Sequence, residues 1–246
     1  EVRKNMLDKK ANYFLLSSLD DIAWLYNIRG KDVENSPIII SYALISNEKA
    51  YLFVDKEKIN SEVEAFLIEN NVEIHNYDEV VNFVEKIEEN SIVMVEKEKI
   101  NRWLFNAIPK SAVIIDQMNI TTKLKWNKNQ TEVENQKNAY IKDCVALVKY
   151  FKWIDNNLGN IEISELSGQE KLLSLKQEQE GFLEPSFGTI SAYKGNAAMM
   201  HYSSSETSNI VFKKEGLYLV DSGGQYFEGT TDITRTIALG PITEEE

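Results

Sequence analysis

Residues Gly216–Gly240 read GLYLVDSGGQYFEGTTDITRTIALG. Leu217, Leu219 and Asp221 alternate with Tyr218, Val220 and Ser222, a strand period, and apolar residues on both faces predict a buried strand. Gly223 and Gly224 permit a bend or a close backbone approach. A turn over Tyr226–Thr230 leads into a return strand, Thr231–Leu239, with Asp232, Thr234 and Thr236 on one face. A hairpin centred on Tyr226 and Phe227 sets Asp221 opposite Asp232, with Cβ atoms about 5 Å apart. Two ionised carboxylates that close, in a mostly apolar setting, repel each other. Either one takes up a proton or a cation sits between them. All-oxygen ligation favours hard divalent ions such as manganese or magnesium. A bridging carboxylate suits two ions about 3.5–4 Å apart. Spacing alone leaves a plainer reading open: two turn-flanking aspartates in an exposed hairpin.

Upstream of this hairpin lie two long helical patterns. Gln130–Leu158 carries apolar residues at Val133, Ala139, Tyr140, Cys144, Leu147, Val148, Phe151 and Ile154, with Gly159 as a stop. Ser164–Gly181 reads as a second helix, and everything from Phe187 onward as strand and turn. The polar stretch Gln117–Lys128 suggests a domain boundary, with residues 1–117 in one domain and 118–246 in the next. The first domain alternates strands (12–17, 37–46, 50–55, 72–77, 91–95, 112–116) with helices (21–26, 60–70, 80–89, 100–107). Asn47–Glu48–Lys49 signals a hairpin between two of those strands. The fold class is therefore α/β, or α+β, in two parts.

Composition narrows the partners. The chain has 27 basic and 39 acidic residues, a net charge of −12. That balance argues against nucleic acid, which needs a basic face, and against an anionic membrane surface. No run approaches the roughly 18 apolar residues of a membrane span. The single cysteine, Cys144, lies in an apolar helical stretch and reads as core. One cysteine excludes an intrachain disulfide and fits a reducing, cytoplasmic setting. The histidines are His75, which reads as structural, and His201. Arg29, in a polar loop, reads as structural, with a place near substrate as the alternative.

Four separated segments carry a resemblance. Leu219–Gly223 followed by Thr231–Thr236 resembles the metal-binding hairpin of the Xaa-Pro aminopeptidases (aminopeptidase P), members of the pita-bread metallopeptidases, and the spacing of eleven between the two aspartates matches. Ser18–Gly30 is similar to the entry of the middle domain in the three-domain forms. Ser186–Ser191 and Asn196–Tyr202 resemble the strands before the metal hairpin. The resemblance implies a creatinase N-terminal-like middle domain followed by the first half of a pita-bread catalytic domain. It implies removal of the N-terminal residue from peptides with proline second, by a hydroxide activated by two divalent ions, manganese first. Asp221 would bind one ion and Asp232 would bridge both. His201 would hydrogen-bond or shuttle protons beside the scissile amide, a task suited to a side chain titrating near neutrality. Thr234, on the face of Asp232, would orient that carboxylate. The intact protein would be a homodimer.

The family's site uses two Asp, one His and two Glu. By the resemblance the His and both Glu lie beyond the metal hairpin, no histidine follows His201, and no ligand role is carried onto Glu244–Glu246, so three of the five ligands have no counterpart and the isolated chain is expected to be inactive. Glu244–Glu246 read as the start of a further helix. Two other readings stand beside the leading one: a prolidase restricted to dipeptides, and a non-catalytic pita-bread module used for binding.

Overall fold

A computed structural model describes residues 1–244. Its elements fall into two compact units, Glu1–Lys128 and Asn129–Glu246. The first runs α1 (Val2–Asp8), β1 (Tyr13–Leu16), α2 (Leu19–Tyr26), β2 (Ser41–Ser46), β3 (Ala50–Val54), α3 (Ser61–Glu69), β4 (Val72–Asn76), α4 (Val80–Val84), β5 (Ile92–Val95), α5 (Arg102–Ala107), β6 (Val113–Asp116) and α6 (Ile120–Trp126). Its six strands form one mixed sheet in the order β4-β3-β2-β1-β5-β6. β2 and β3 are the expected hairpin.

Both faces of this sheet are covered, and the strand period sorts side chains between them. Phe14, Leu16, Ala43, Ile45, Leu52 and Val54 pack with Ile22 and Tyr26 of α2 and Leu67 of α3. Their neighbours Leu15, Leu44, Phe53 and Val93 pack on the other face with Val80 and Val84 of α4 and Leu104 of α5. His75 joins the second layer, with its ring 4.4 Å from that of Phe83. Helix starts are fixed by side-chain caps: Asn60 accepts from Val63 N–H at 2.8 Å and Asn101 from Leu104 N–H at 2.8 Å. Arg29 donates to the carbonyls of Ala23 and Ile28, closing the end of α2. Helix α4 stops at Val84, short of the expected 89, because Glu85, Glu88 and Glu89 would place negative charge at the negative end of the helix dipole.

Asp21 on α2 is fully buried. It accepts from Ser18 Oγ (2.7 Å), Asn119 Nδ2 (3.1 Å) and Thr122 Oγ1 (2.9 Å), with Lys125 Nζ at 3.2 Å. This network fastens α6 to α2, so residues 118–128, expected with the second domain, sit with the first.

The second unit contains α7 (Gln130–Asn157), α8 (Glu165–Gln177), β7 (Phe182–Pro185), β8 (Ile190–Tyr193), a 3-10 turn (Lys194–Ala198), β9 (Leu217–Ser222), β10 (Gly224–Tyr226) and β11 (Ile233–Ala238). The 3-10 turn and the irregular path after it replace the run of strands expected from residue 187. β11, β9 and β8 form an antiparallel sheet, and β10 pairs separately with β7. Helix α7 opens on a reciprocal cap between Asn129 and Glu132. It buries Ala146, Leu147, Tyr150 and Ile154 against Leu172, Leu175, Tyr218 and Val220, and Cys144 packs at the edge of this core. α8 ends at Gln177 rather than Gly181, where Glu178 and Glu180 again oppose the dipole. Of the helix start expected at Glu244–Glu246, residues 245 and 246 lie outside the described ones.

A candidate metal and catalytic site

Strand β9 alternates buried Tyr218, Val220 and Ser222 with half-buried Leu217, Leu219 and Asp221. One face is therefore closed and the other, which carries Asp221, is only partly covered. This corrects the expectation of a strand buried on both sides.

The hairpin also differs in register. Tyr226 and Gly229 exchange backbone hydrogen bonds (2.9 and 3.2 Å), which centres the turn on Phe227 and Glu228. Moving the centre by one residue moves every pair by two positions. Asp221 therefore lies opposite Thr234, not Asp232. A two-residue shift preserves faces, whereas a one-residue slip would reverse them. Asp232 thus remains on the face of Asp221 as a diagonal neighbour, at the roughly 7–8 Å typical of that relation.

Thr234 is the cross-strand partner of Asp221, and among the described residues no hydrogen bond joins its hydroxyl to Asp232. The hydroxyl that braces this turn belongs to Thr231. Its Oγ1 donates to Asp143 Oδ2 at 2.9 Å and accepts from Gly224 N–H at 2.9 Å. Gly223 lies so close that a Cβ there would meet the Thr231 carbonyl oxygen at 2.0 Å. Ser186 Oγ donates to that same carbonyl at 2.8 Å.

Helix α7 grips the turn along one face. Gln136 donates to the Thr230 carbonyl and Tyr140 to the Asp232 carbonyl (3.5 Å), while Lys142 pairs with Glu228. Asp143 accepts from Tyr226 as well (3.0 Å), and Lys176 Nζ of α8 lies 2.7 Å from its Oδ1. Both charges are almost wholly buried. Burial lowers the Lys176 ammonium's pKa, and Asp143 opposes that shift. Burial also raises the Tyr226 phenol, with the Asp143 charge adding to the effect.

Asp221, Asp232 and His201 come together on a cleft of about 510 Å³, lined also by Phe187, Ile190 and Tyr202. His201 is exposed, in the irregular segment after the 3-10 turn. Asp221 Oδ1 is buried and has no hydrogen-bond partner. An orphaned carboxylate oxygen costs free energy unless a cation or donor meets it, so this donor fits a hard divalent ion. Among the described residues no group of three or more His, Cys, Asp or Glu could hold a metal. Asp221 and Asp232 stand on the cleft as a pair of carboxylates outside any such group.

Sequence reasoning missed Asp143, Lys176, Thr231 and Glu165. Asp143 and Lys176 carried a usable signal, since each interrupts the apolar stripe of its helix.

An α/β unit with helices on both faces of its sheet, followed by an antiparallel sheet that carries a pair of carboxylates, is the arrangement of a metallopeptidase of the pita-bread class. Residues 1–132 match the creatinase/prolidase N-terminal domain and residues 134–246 match metallopeptidase family M24, and the chain belongs to this family. It is 34% identical to a probable Xaa-Pro aminopeptidase P of Sordaria macrospora, covering 100% of the chain and 42% of that protein. It is 36% identical to the Xaa-Pro aminopeptidase ApepP of Drosophila melanogaster, covering 99% of the chain and 40% of that protein. The X-prolyl aminopeptidase of Caenorhabditis elegans, described as a cytosolic enzyme with a di-nuclear active site, superposes with a TM-score of 0.92 at 29% identity over 99% of the chain and 41% of that structure. A prolidase from Pyrococcus furiosus shares the fold, with a TM-score of 0.71 at 18% identity over 99% of the chain and 66% of that structure. The chain spans about two fifths of the length of the curated relatives it matches.

Proposed function

We propose that this chain is the middle domain and first catalytic half of an Xaa-Pro aminopeptidase, which releases the N-terminal residue from peptides with proline in second position. One observation supports this above the rest: the partnerless Asp221 oxygen on a cleft shared with Asp232 and His201. In this reading Asp221 and Asp232 would hold divalent ions, with manganese the expected metal. Such ions, when bound, supply a water of lowered pKa and polarise the scissile carbonyl. His201 lies beside the substrate and hydrogen-bonds or shuttles protons near the scissile amide. The half-open face of β9 leaves room for a peptide, and the proline ring is read by a pocket of which this chain supplies one wall. The intact enzyme is taken to be a homodimer of a reducing cytosol.

The test is an assay of the protein extended in its reading frame to the length of its relatives, with manganese supplied. A tripeptide with proline second should be cut. Asp221→Asn and Asp232→Asn should abolish activity, and His201→Gln should lower kcat by about 10²–10⁴-fold. Cleavage of dipeptides alone would make the protein a prolidase. Cleavage of neither would leave a binding module. The 246-residue chain by itself should release nothing, since three further ligands are required.

A further inference from the structure

Glu165 is a buried carboxylate that the proposed chemistry does not use. It sits in the first turn of α8 and is fully excluded from solvent. A buried charge persists only where donors replace its water. Four groups do so here. Glu165 Oε1 accepts from Tyr193 N–H (2.7 Å) and Asn196 Nδ2 (3.0 Å). Glu165 Oε2 accepts from the Tyr202 hydroxyl (2.7 Å) and Ile210 N–H (3.2 Å). Charge-assisted bonds of this kind are the strong ones, and the positive end of the α8 dipole adds to them.

All four donors come from one stretch, residues 193–210, which lines the cleft at Met200–Ser203 and has no helix or strand between its 3-10 turn and β9. Such a stretch has no ladder of its own to hold it. Tyr202 immediately follows His201. Its ring is buried while His201 is exposed, so the peptide between them passes from an anchored position to the cleft wall.

We infer that Glu165 is a positioning residue that acts through Tyr202 and Asn196 to hold His201 on the cleft wall it shares with Asp221 and Asp232. The inference rests on the proposed role of His201 for its functional meaning, but not for its geometry. A carboxylate is needed because all four partners are donors. Glutamine would keep one accepting oxygen and turn an NH2 group toward two other donors.

His75 and His201 are the only histidines, so the chain labelled at histidine gives two ring signals, and His201→Gln assigns them. In Glu165→Ala and Tyr202→Phe the His201 signal should shift and broaden while the His75 signal stays in place. Glu165→Gln should fall between these and the parent. Tyr202→Phe removes a single hydroxyl and keeps the buried ring, so it reads the link even where Glu165→Ala fails to fold. A His201 signal unmoved in Tyr202→Phe overturns the inference. So does collapse of both signals in every variant, which would make Glu165 a support of the whole unit. If His201→Gln keeps full activity in the extended enzyme while Tyr202→Phe still moves the His201 signal, the clamp stands and the catalytic reading of His201 falls.

Discussion

Lys176 and Asp143 form a buried ion pair whose removal should be felt twice. Breaking one side strands the other charge away from water, a loss of about 3–5 kcal/mol. Lys176→Met should therefore lower the urea midpoint strongly. Replacing both partners by apolar residues often restores stability in such pairs. Here it should not, because Asp143 also accepts from Tyr226 and Thr231, and those hydroxyls would be left unpaired. A double variant, Asp143→Leu with Lys176→Met, as stable as the parent would show that the pair matters only as charge. The same residues mark what could be read beforehand. Asp221, Asp232 and His201 stood out as separated motif residues. Asp143 and Lys176 were visible as charges on apolar stripes, but nothing in the sequence named their partners, which come from elements far apart in the chain. Thr234 drew attention by sharing a face with Asp232, whereas the bracing hydroxyl is that of Thr231, one residue before Asp232.

At the level of elements, the hairpin that carries Asp221 and Asp232 is set by the close approach of Gly223, just after β9, to Thr231. Gly223→Ala would drive a Cβ into the Thr231 carbonyl, and backbone rather than a flexible side chain must move. The expected cost is about 1–3 kcal/mol, seen as a lower thermal midpoint. Ser186→Ala, which removes one hydrogen bond to the same carbonyl, should cost only about 1 kcal/mol. Equal losses would place the strain elsewhere. Helix α7 offers a contrasting case, since its start is a local matter. Asn129→Ala removes the reciprocal cap with Glu132 and should cost about 1 kcal/mol. That locality explains why the start of α7 was legible: an asparagine cap, a glutamate three residues on and an apolar stripe all agree. α1 and α6 were not legible: neither opens on a side-chain cap, and α6 is fixed by tertiary bonds to Asp21. Register failed for a related reason. Whether the turn centres on 226–227 or 227–228 depends on where Gly229 and the grip of α7 place it, and strand alternation is blind to a shift of two.

For the whole molecule, the acid limb of stability follows from how its 39 acidic residues are held. Most paired carboxylates lie at the surface. Asp32, Glu73 and Glu215 are depressed in pKa beside Lys58, Lys49 and Lys194, and such exposed pairs are screened by salt. Asp21 differs. Burial would raise its pKa, but hydrogen bonds from Ser18, Asn119 and Thr122 and the Lys125 charge outweigh burial and hold it at about 2. A folded carboxyl below its ordinary value contributes stability above that ordinary value, and the contribution is lost as pH falls toward the folded one. Stability should therefore stay level from neutral pH down to about 5 and fall between about pH 4 and 2. The drop assigned to Asp21 is on the order of 2 kcal/mol. Three of the four tryptophans, Trp24, Trp103 and Trp126, lie in the unit that contains Asp21, so intrinsic fluorescence in urea follows it. In about 1 M salt, where the Debye length is roughly 3 Å, the surface pairs should contribute little and the acid limb should persist. Asp21→Asn should lower stability at neutral pH and flatten that limb. An acid limb that vanishes in salt, or that survives Asp21→Asn unchanged, would assign acid sensitivity to the diffuse surface charge instead of to the buried carboxylate of Asp21.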